Sequence, residues 1–262
     1  MAQEPEAGRL RQCHVAQLLK RSESIVLKTS PFSEADLIVT LLTRDYGLVK
    51  TFAKSTRKTK SRFGSSLEPL TYSKISFWGK EDAALPRLTQ SDIIRPFQSI
   101  RERLDCFFRI MEIVELTLSL LPEREPHRDV FDFLVSVLTM IEGDSGSDKG
   151  LIKALLYKIR FLDMVGYGPR LDGCARCSSS GYNYYISHGS IICGICAKGM
   201  DRPIRLSPGV IKSYETLRRW DIAKIGRIRL SRTLLAELSA MLDTHIQYTI
   251  AKPLKTKSFQ PV

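Results

Sequence analysis

Four of the chain's six cysteines fall in two CxxC pairs, Cys174 with Cys177 and Cys193 with Cys196, separated by 15 residues. This spacing restricts the fold more than any other feature. Each CxxC turns as a tight knuckle that aims two sulfurs at one point, and an excursion of this length lets two knuckles share one tetrahedral ion, with Zn2+ as the natural occupant. A redox dithiol needs only one CxxC, at the start of a helix in a βαβ setting, and neither pair has that context. An iron-sulfur cluster is the third reading, but the spacing differs from the common ferredoxin runs. Four thiolates leave no coordination position for water, so the expected role is structural and not hydrolytic. Between the pairs, YNYYISHGSII alternates like a hairpin with its tip near His188 and Gly189, where His188 reads as a turn residue and not a ligand. Cys13 and Cys106 have no cysteine nearby, and Cys106, beside Phe107, reads as a small buried hydrophobe.

Upstream, from Ser24 to about Arg95, short β-branched and aromatic runs (SIVLKT, ADLIVTLLT, GLVKTFAK, PLTYSKISFW, LPRLTQSDII) predict five strands. Turn residues at Pro31 to Glu34, Asp45 to Gly47 and Gly79 to Asp82 separate them. So short a five-stranded sheet protects its edges best by curling on itself, which predicts a small barrel of the oligonucleotide-binding (OB) type, with an SH3-like barrel as the alternative.

After Pro96 the period becomes helical. Residues 98 to 121 are apolar almost all round, 128 to 141 repeat that character, and both predict interior helices. Gly143 to Gly150 reads as a flexible connection. Ile152, Leu155, Leu156, Ile159 and Leu162 then mark a helix ended by Gly166 or Gly168. Beyond the cysteines, Ser207 and Pro208 read as an N-cap and first helical residue, and Leu234, Leu238, Met241, Leu242 and His245 mark a last amphipathic helix. The predicted class is α+β multidomain: an extension (1–20), a barrel (21–96) and a helical domain (97–262) with the four-cysteine zinc finger inserted at about 172–199.

Charge points to partners. Forty Lys and Arg against 28 Asp and Glu leave +12, which suits a polyanion such as nucleic acid or an anionic membrane surface. The first 24 residues contain no apolar run long enough for a signal peptide, and no segment approaches the roughly 20 apolar residues of a membrane span, so a cytosolic protein is expected. The densest cationic run, KTFAKSTRKTKSRF, carries Lys50, Lys54, Arg57, Lys58, Lys60 and Arg62 without an acidic residue, and Phe52 and Phe63 offer stacking faces. It is the predicted DNA-binding element, its bland alternative being a solvated loop. Lys153, Lys158 and Arg160 beside an apolar face suit an acidic-hydrophobic peptide or an ordinary solvent face, and Lys224, Arg227, Arg229 and Arg232 form a second cationic cluster.

Residues 24 to 71, SIVLKTSPFSEADLIVTLLTRDYGLVKTFAKSTRKTKSRFGSSLEPLT, resemble the N-terminal barrel of the bacterial RecO family of DNA repair and recombination mediators, with its SE-D turn, T-x-x-x-G turn and basic AKG-x-R-type loop. FLDMVGYGPRLDGC, the paired CxxC and KPLKTKSF agree in order, extending the resemblance over about 21–259. Ser55 stands where the family motif commonly has glycine. The resemblance implies an OB-fold barrel on a helical domain with a zinc finger. It implies binding of single- and double-stranded DNA, strand annealing, association with RecR, and help in loading RecA onto strands coated by the single-stranded-DNA-binding protein, whose acidic tail docks on the helical domain in relatives. A bacterial cytoplasmic, nucleoid-associated protein and no enzyme is expected. No P-loop GxxxxGK[ST] is present, and no H-x-E set supports a zinc enzyme on nucleic acid. The competing reading is a sequence-specific zinc-ribbon transcription regulator, for which the helix near Ser207 would have to read the major groove; its Ile211, Tyr214 and Leu217 look like packing positions.

Overall fold

The computed structural model describes residues 18–56, 61–80, 83–143 and 147–256. Strands β1 (Leu18–Pro31), β2 (Leu37–Thr43), β3 (Gly47–Ala53), β4 (Tyr72–Gly79) and β5 (Arg87–Arg95) form one sheet that closes on itself in the order β1-β2-β3-β5-β4. The long β1 makes closure possible, pairing with β4 from Leu18 to Ile25 and with β2 from Ser24 to Pro31. Sequence placed residues 1–20 in an extension, yet Leu18, Leu19 and Lys20 already pair in β1; residues 1–17, Cys13 among them, lie outside the described residues.

A bulge in β1 between Val26 and Lys28 resets the alternation of side chains. Val26 points into the barrel with Val39, Leu41, Ile75, Phe77 and Leu88, whereas Ile25 and Leu27 join the core shared with the helices. Lys28 then lines the outer face beside Thr40. Leu42, Leu48 and Leu70 also enter that shared core, so barrel and helices are packed through one continuous apolar interior.

The seam between β3 and β5 is a single parallel pair, Phe52 opposite Arg87. At its other end, the free edge of β3 is covered by the segment 123–125: Glu123 bridges Leu48, and the Arg124 N–H donates to the Leu48 carbonyl at 2.9 Å. Gly47 permits the approach. It lies at φ +64, and a Cβ on it would sit 2.0 Å from the carbonyl oxygen of Glu125.

The helical part contains α1 (Gln98–Glu102), α2 (Leu104–Leu120), α3 (Arg128–Glu142), α4 (Ser147–Met164), α5 (Pro208–Arg219) and α6 (Arg232–Thr249). The single helix expected over 98–121 is two helices, broken at Arg103, whose backbone is extended at φ −102 and ψ 103. Its guanidinium donates to the carbonyls of Ser99 and Ile141, which ties the break to the end of α3. The connection expected at Gly143 to Gly150 is also shorter, because α4 begins at Ser147. α4 is the central helix, with Tyr157 stacked at 5.4 Å on both Phe133 and Phe161. Gly166, at φ +79, ends it: Gly166 N–H donates to Asp163 O and Tyr167 N–H to Leu162 O, the paired bonds of a Schellman cap. Ser207 caps α5 as expected, accepting from Val210 N–H with Pro208 at the first helical position. No helix among the described residues is long and apolar enough to cross a membrane.

Lys158 is buried on α4 and bonds Glu112 of α2 at 2.6 Å and Asp243 of α6 at 3.3 Å. Lys158→Met takes the ammonium away from the buried Glu112 carboxylate, an expected loss of about 3–5 kcal/mol, whereas Lys158→Met with Glu112→Met restores much of it because the two most deeply buried charges go together. Urea unfolding of the two singles and the double measures the coupling; additive losses would show that the pair does not act as one unit.

Candidate nucleic-acid interface and metal centre

The cysteine segment carries β6 (Asn183–Tyr185) and β7 (Ser190–Ile191), the expected hairpin, with Gly189 at φ +56 at its tip; β8 (Ile204–Arg205), unforeseen, pairs with β6. The four sulfurs of Cys174, Cys177, Cys193 and Cys196 all lie within 4.8 Å of one another, and Cys177 Sγ is 3.6 Å from Cys193 Sγ. A tetrahedral site with metal–sulfur bonds of about 2.3 Å has sulfur–sulfur edges of about 3.8 Å, so this donor set fits one ion. A backbone N–H donor from Cys193 holds Cys174 below the ordinary thiol range, and the Ser179 hydroxyl pulls Cys193 down to about 6. Cys196 is pushed up to about 12 by the sulfurs of Cys177 and Cys193. Four sulfurs converging on one point, with Cys193 already held down toward the thiolate, are suited to a cation. His188 is exposed and bonds only its neighbour Ser187 among the described residues, consistent with a turn histidine.

The clasp is anchored to the helices through Tyr184 and His245. The Tyr184 hydroxyl lies 2.6 Å from His245 Nδ1, and His245 Nε2 lies 2.7 Å from the Tyr167 carbonyl, so Nε2 carries the proton and Nδ1 accepts. Burial pushes the pKa of His245 down, outweighing the carbonyl bond, which keeps the ring neutral in this joint. The KPLKTKSF segment is strapped to α2 at its start, where Glu115 accepts from Lys255 N–H at 2.8 Å and Thr256 N–H at 3.0 Å.

On the barrel, cross-strand register builds one outer face. Lys28, Thr40 and Lys50 stand side by side across β1, β2 and β3, and the next row is Ser30, Ile38 and Phe52. Lys50 is half exposed and bonds Glu123 at 2.5 Å. Lys54 follows β3 at the surface and has no carboxylate partner among the described residues. Arg57, Lys58 and Lys60 lie outside the described residues. Arg62 is exposed, its guanidinium 4.9 Å from the Phe63 ring centre. The expectation for Phe63 is corrected: only 4% exposed, it plugs the barrel interior and presents no stacking face. Ser55 sits at φ +58, the left-handed region that glycine adopts freely, and its N–H donates to Asp36 Oδ1 at 2.8 Å, which holds the turn without glycine.

Sequence reasoning missed Lys28, Arg87 and Phe32. Both cations are exposed without a carboxylate partner among the described residues, and Phe32 stands beside Phe52. The only signal available was the dense apolar-to-cation change at Leu27-Lys28, because register across strands is not written in any one of them.

On α4 the three cations singled out from the sequence are already used. Lys153 donates to the Met140 carbonyl, Lys158 is buried between carboxylates, and Arg160 donates to the carbonyls of Leu217 and Trp220. Each of these three side chains is thus engaged with groups of the protein itself. Lys224, Arg227 and Arg232 are exposed, while Arg229 donates to the Ile228 carbonyl. α5, which a groove-reading regulator would present to DNA, buries Tyr214 and Leu217 completely and packs Ile211 against the same core.

Two family models match the chain: "Recombination protein O N terminal" over residues 18–97 and "Recombination protein O C terminal" over 110–258. A protein named DNA repair protein RecO from Thermodesulfovibrio yellowstonii is 43% identical over 231 residues, covering 86% of this chain and 91% of that protein. The RecO proteins of Syntrophus aciditrophicus (31% identical, 90% of this chain and 93% of the relative) and Frankia casuarinae (35%, 87% and 93%) are similar over nearly the same extent. With both of its parts matched in order and its relatives covered almost end to end, this chain belongs to the RecO family of DNA repair proteins.

Proposed function

We propose that the protein is a DNA-binding recombination mediator and not an enzyme: it binds single and double strands, anneals complementary strands and, with RecR, helps load RecA onto strands coated by the single-stranded-DNA-binding protein. The partners follow from the family. The DNA-binding part of the reading is carried by one observation, the row of cations on the outer face of the barrel, Lys28, Lys50, Lys54 and Arg87, of which only Lys50 has a carboxylate partner among the described residues. The loop cations Arg57, Lys58, Lys60 and Arg62 continue it in sequence. The strand order, with β3 and β5 parallel at the seam and a bulged β1, supports the OB type of barrel, whose β2 and β3 face is the usual oligonucleotide surface. A polycation binding two strands lowers the repulsion between their phosphates while leaving base edges free to pair. The four cysteines hold Zn2+ as a structural ion, and the barrel and the helical part are the two domains. A bacterial cytoplasmic protein associated with the nucleoid follows. The acidic tail of the single-stranded-DNA-binding protein docks on the helical part, as the family resemblance implies.

The reading is tested by salt. Neutralising about four phosphates of a single strand gives a slope of log affinity against log salt of roughly −3. Glu123→Gln, which releases Lys50 from an exposed pair worth about 0.2–1 kcal/mol, tightens binding up to about fivefold. Charge reversal at Arg57, Lys58 and Lys60 weakens binding to every sequence alike. Salt-independent affinity, or affinity for one operator far above others, overturns the reading.

A further inference from the structure

We propose that Phe32 and Phe52 form a base-stacking platform that gives the barrel a specific grip on single strands, with the groove beside them taking the neighbouring base. The inference rests on the DNA-binding reading and names its ligand contact.

Phe32 is 60% exposed, although a phenylalanine in a surface turn gains nothing by facing water. Its ring meets Phe52 at 5.5 Å and 79°, an edge-to-face pair that holds both rings in place. The turn that carries it is also fixed. Phe32 N–H donates to the Asp36 carbonyl at 3.0 Å, and the Asp36 side chain accepts from Ser55 N–H, which ties the β1–β2 turn to the chain leaving β3. The platform is thus set before any ligand arrives, and little ordering remains to oppose binding.

What surrounds it selects the ligand. Arg87 lies directly across from Phe52, Lys54 two residues beyond it, and Lys28 and Lys50 one row away. Next to them, from Ile38, the cross-strand neighbour of Phe52, runs a groove of about 470 Å³ lined also by Leu48, Leu118 and Leu121, with Lys28, Lys50 and its ion-pair partner Glu123 as the charged groups. Aromatic faces ringed by cations fit a ligand that offers flat π surfaces and regularly spaced anions together, which is a single nucleic-acid strand. A duplex keeps its bases stacked inside and can engage only the cations. An acidic peptide would satisfy the cations but brings no base to the rings.

The test compares the parent protein with Phe32→Ala, Phe32→Leu, Phe32→Trp and Phe32→Ala/Phe52→Ala, titrated against a fluorescent oligothymidylate, a duplex of equal length and an oligoglutamate, each at several salt concentrations. Removing one stacked base contact lowers affinity for oligothymidylate about tenfold. Duplex affinity stays within about twofold, and the salt slope is unchanged because no phosphate contact is lost. Phe32→Leu behaves as Phe32→Ala, Phe32→Trp as the parent, and oligoglutamate binding ignores all four substitutions. Thermal melting of Phe32→Ala, whose ring is mostly in water, matches the parent and separates the effect from misfolding. The platform is overturned if the double variant binds oligothymidylate as the parent does, if duplex or oligoglutamate affinity falls equally, or if Phe32→Leu retains full binding. A parent that binds no DNA at all removes the DNA-binding reading, and the platform with it.

Discussion

Cys174→Ser, or treatment of the protein with a strong chelator, is expected to unfold residues 172–200 while the barrel remains folded. The segment has little core of its own: Cys174, Tyr185 and Ile192 form its separate cluster, with Met200 and Ala197 partly packed against them, and only Tyr184 and Ile191 reach the helical core. So small a cluster cannot offset the chain entropy of ordering nearly thirty residues. Apparent binding free energies for structural zinc in small modules are about 10–16 kcal/mol, and they appear as folding free energy because the site exists only in the folded chain. Serine replaces a thiolate with a weak neutral donor and opens the coordination sphere. Native-state hydrogen exchange reads the result. The amides of Ala175, Ser178 and Ala197, bonded to Ile191, Cys174 and Cys193, lose protection, whereas those of β2 and β3 keep it. Unchanged protection in the cysteine segment after the metal is gone would show that packing, and not the ion, holds it.

Gly47→Ala is expected to destabilise the protein by about 3–5 kcal/mol, far more than an ordinary surface glycine. Two causes add. The left-handed backbone at φ +64 disfavours any side chain by about 1–2 kcal/mol. The new methyl would also lie 2.0 Å from the Glu125 carbonyl oxygen and 2.9 Å from its nitrogen, so the segment 123–125 must leave the edge of β3. Its departure breaks the Arg124 to Leu48 hydrogen bond and separates Lys50 from Glu123. Chemical denaturation of Gly47→Ala and of Gly64→Ala, a glycine at φ +51 with open space around its Cβ, separates the causes. Equal losses in the two would mean that backbone strain alone acts at Gly47 and that the seam tolerates a methyl group.

Much of this architecture was legible before folding. The two CxxC pairs sit close enough to share an ion because 15 residues of hairpin return the chain to its start, a consequence of turn geometry within one segment. Ser207 with Pro208, and a glycine after α4 that the sequence narrowed to Gly166 or Gly168, mark helix ends by bonds spanning three to five residues, which is why both ends were readable. The β runs and the change of period after Pro96 are equally local. Arg103 was not readable, because its break is fixed by a bond to Ile141, 38 residues away. Nor was the burial of Phe63, whose neighbours are strands on the opposite wall of the barrel.

The sequence by itself determined the five barrel strands, the change to helices after Pro96, the cysteine clasp and the cationic excess, since each depends on neighbours along the chain or on simple composition. Only the tertiary structure decided which cations remain available. Lys158 and Arg160 are spent on groups 46 to 85 residues distant, while Lys28, Lys54 and Arg87, from three separate segments, are left facing water beside Phe32 and Phe52. The reason is physical: a lysine looks the same in sequence whether its partner is solvent or a buried carboxylate, and strand register, bulge and seam, set by contacts across the whole fold, assign that partner.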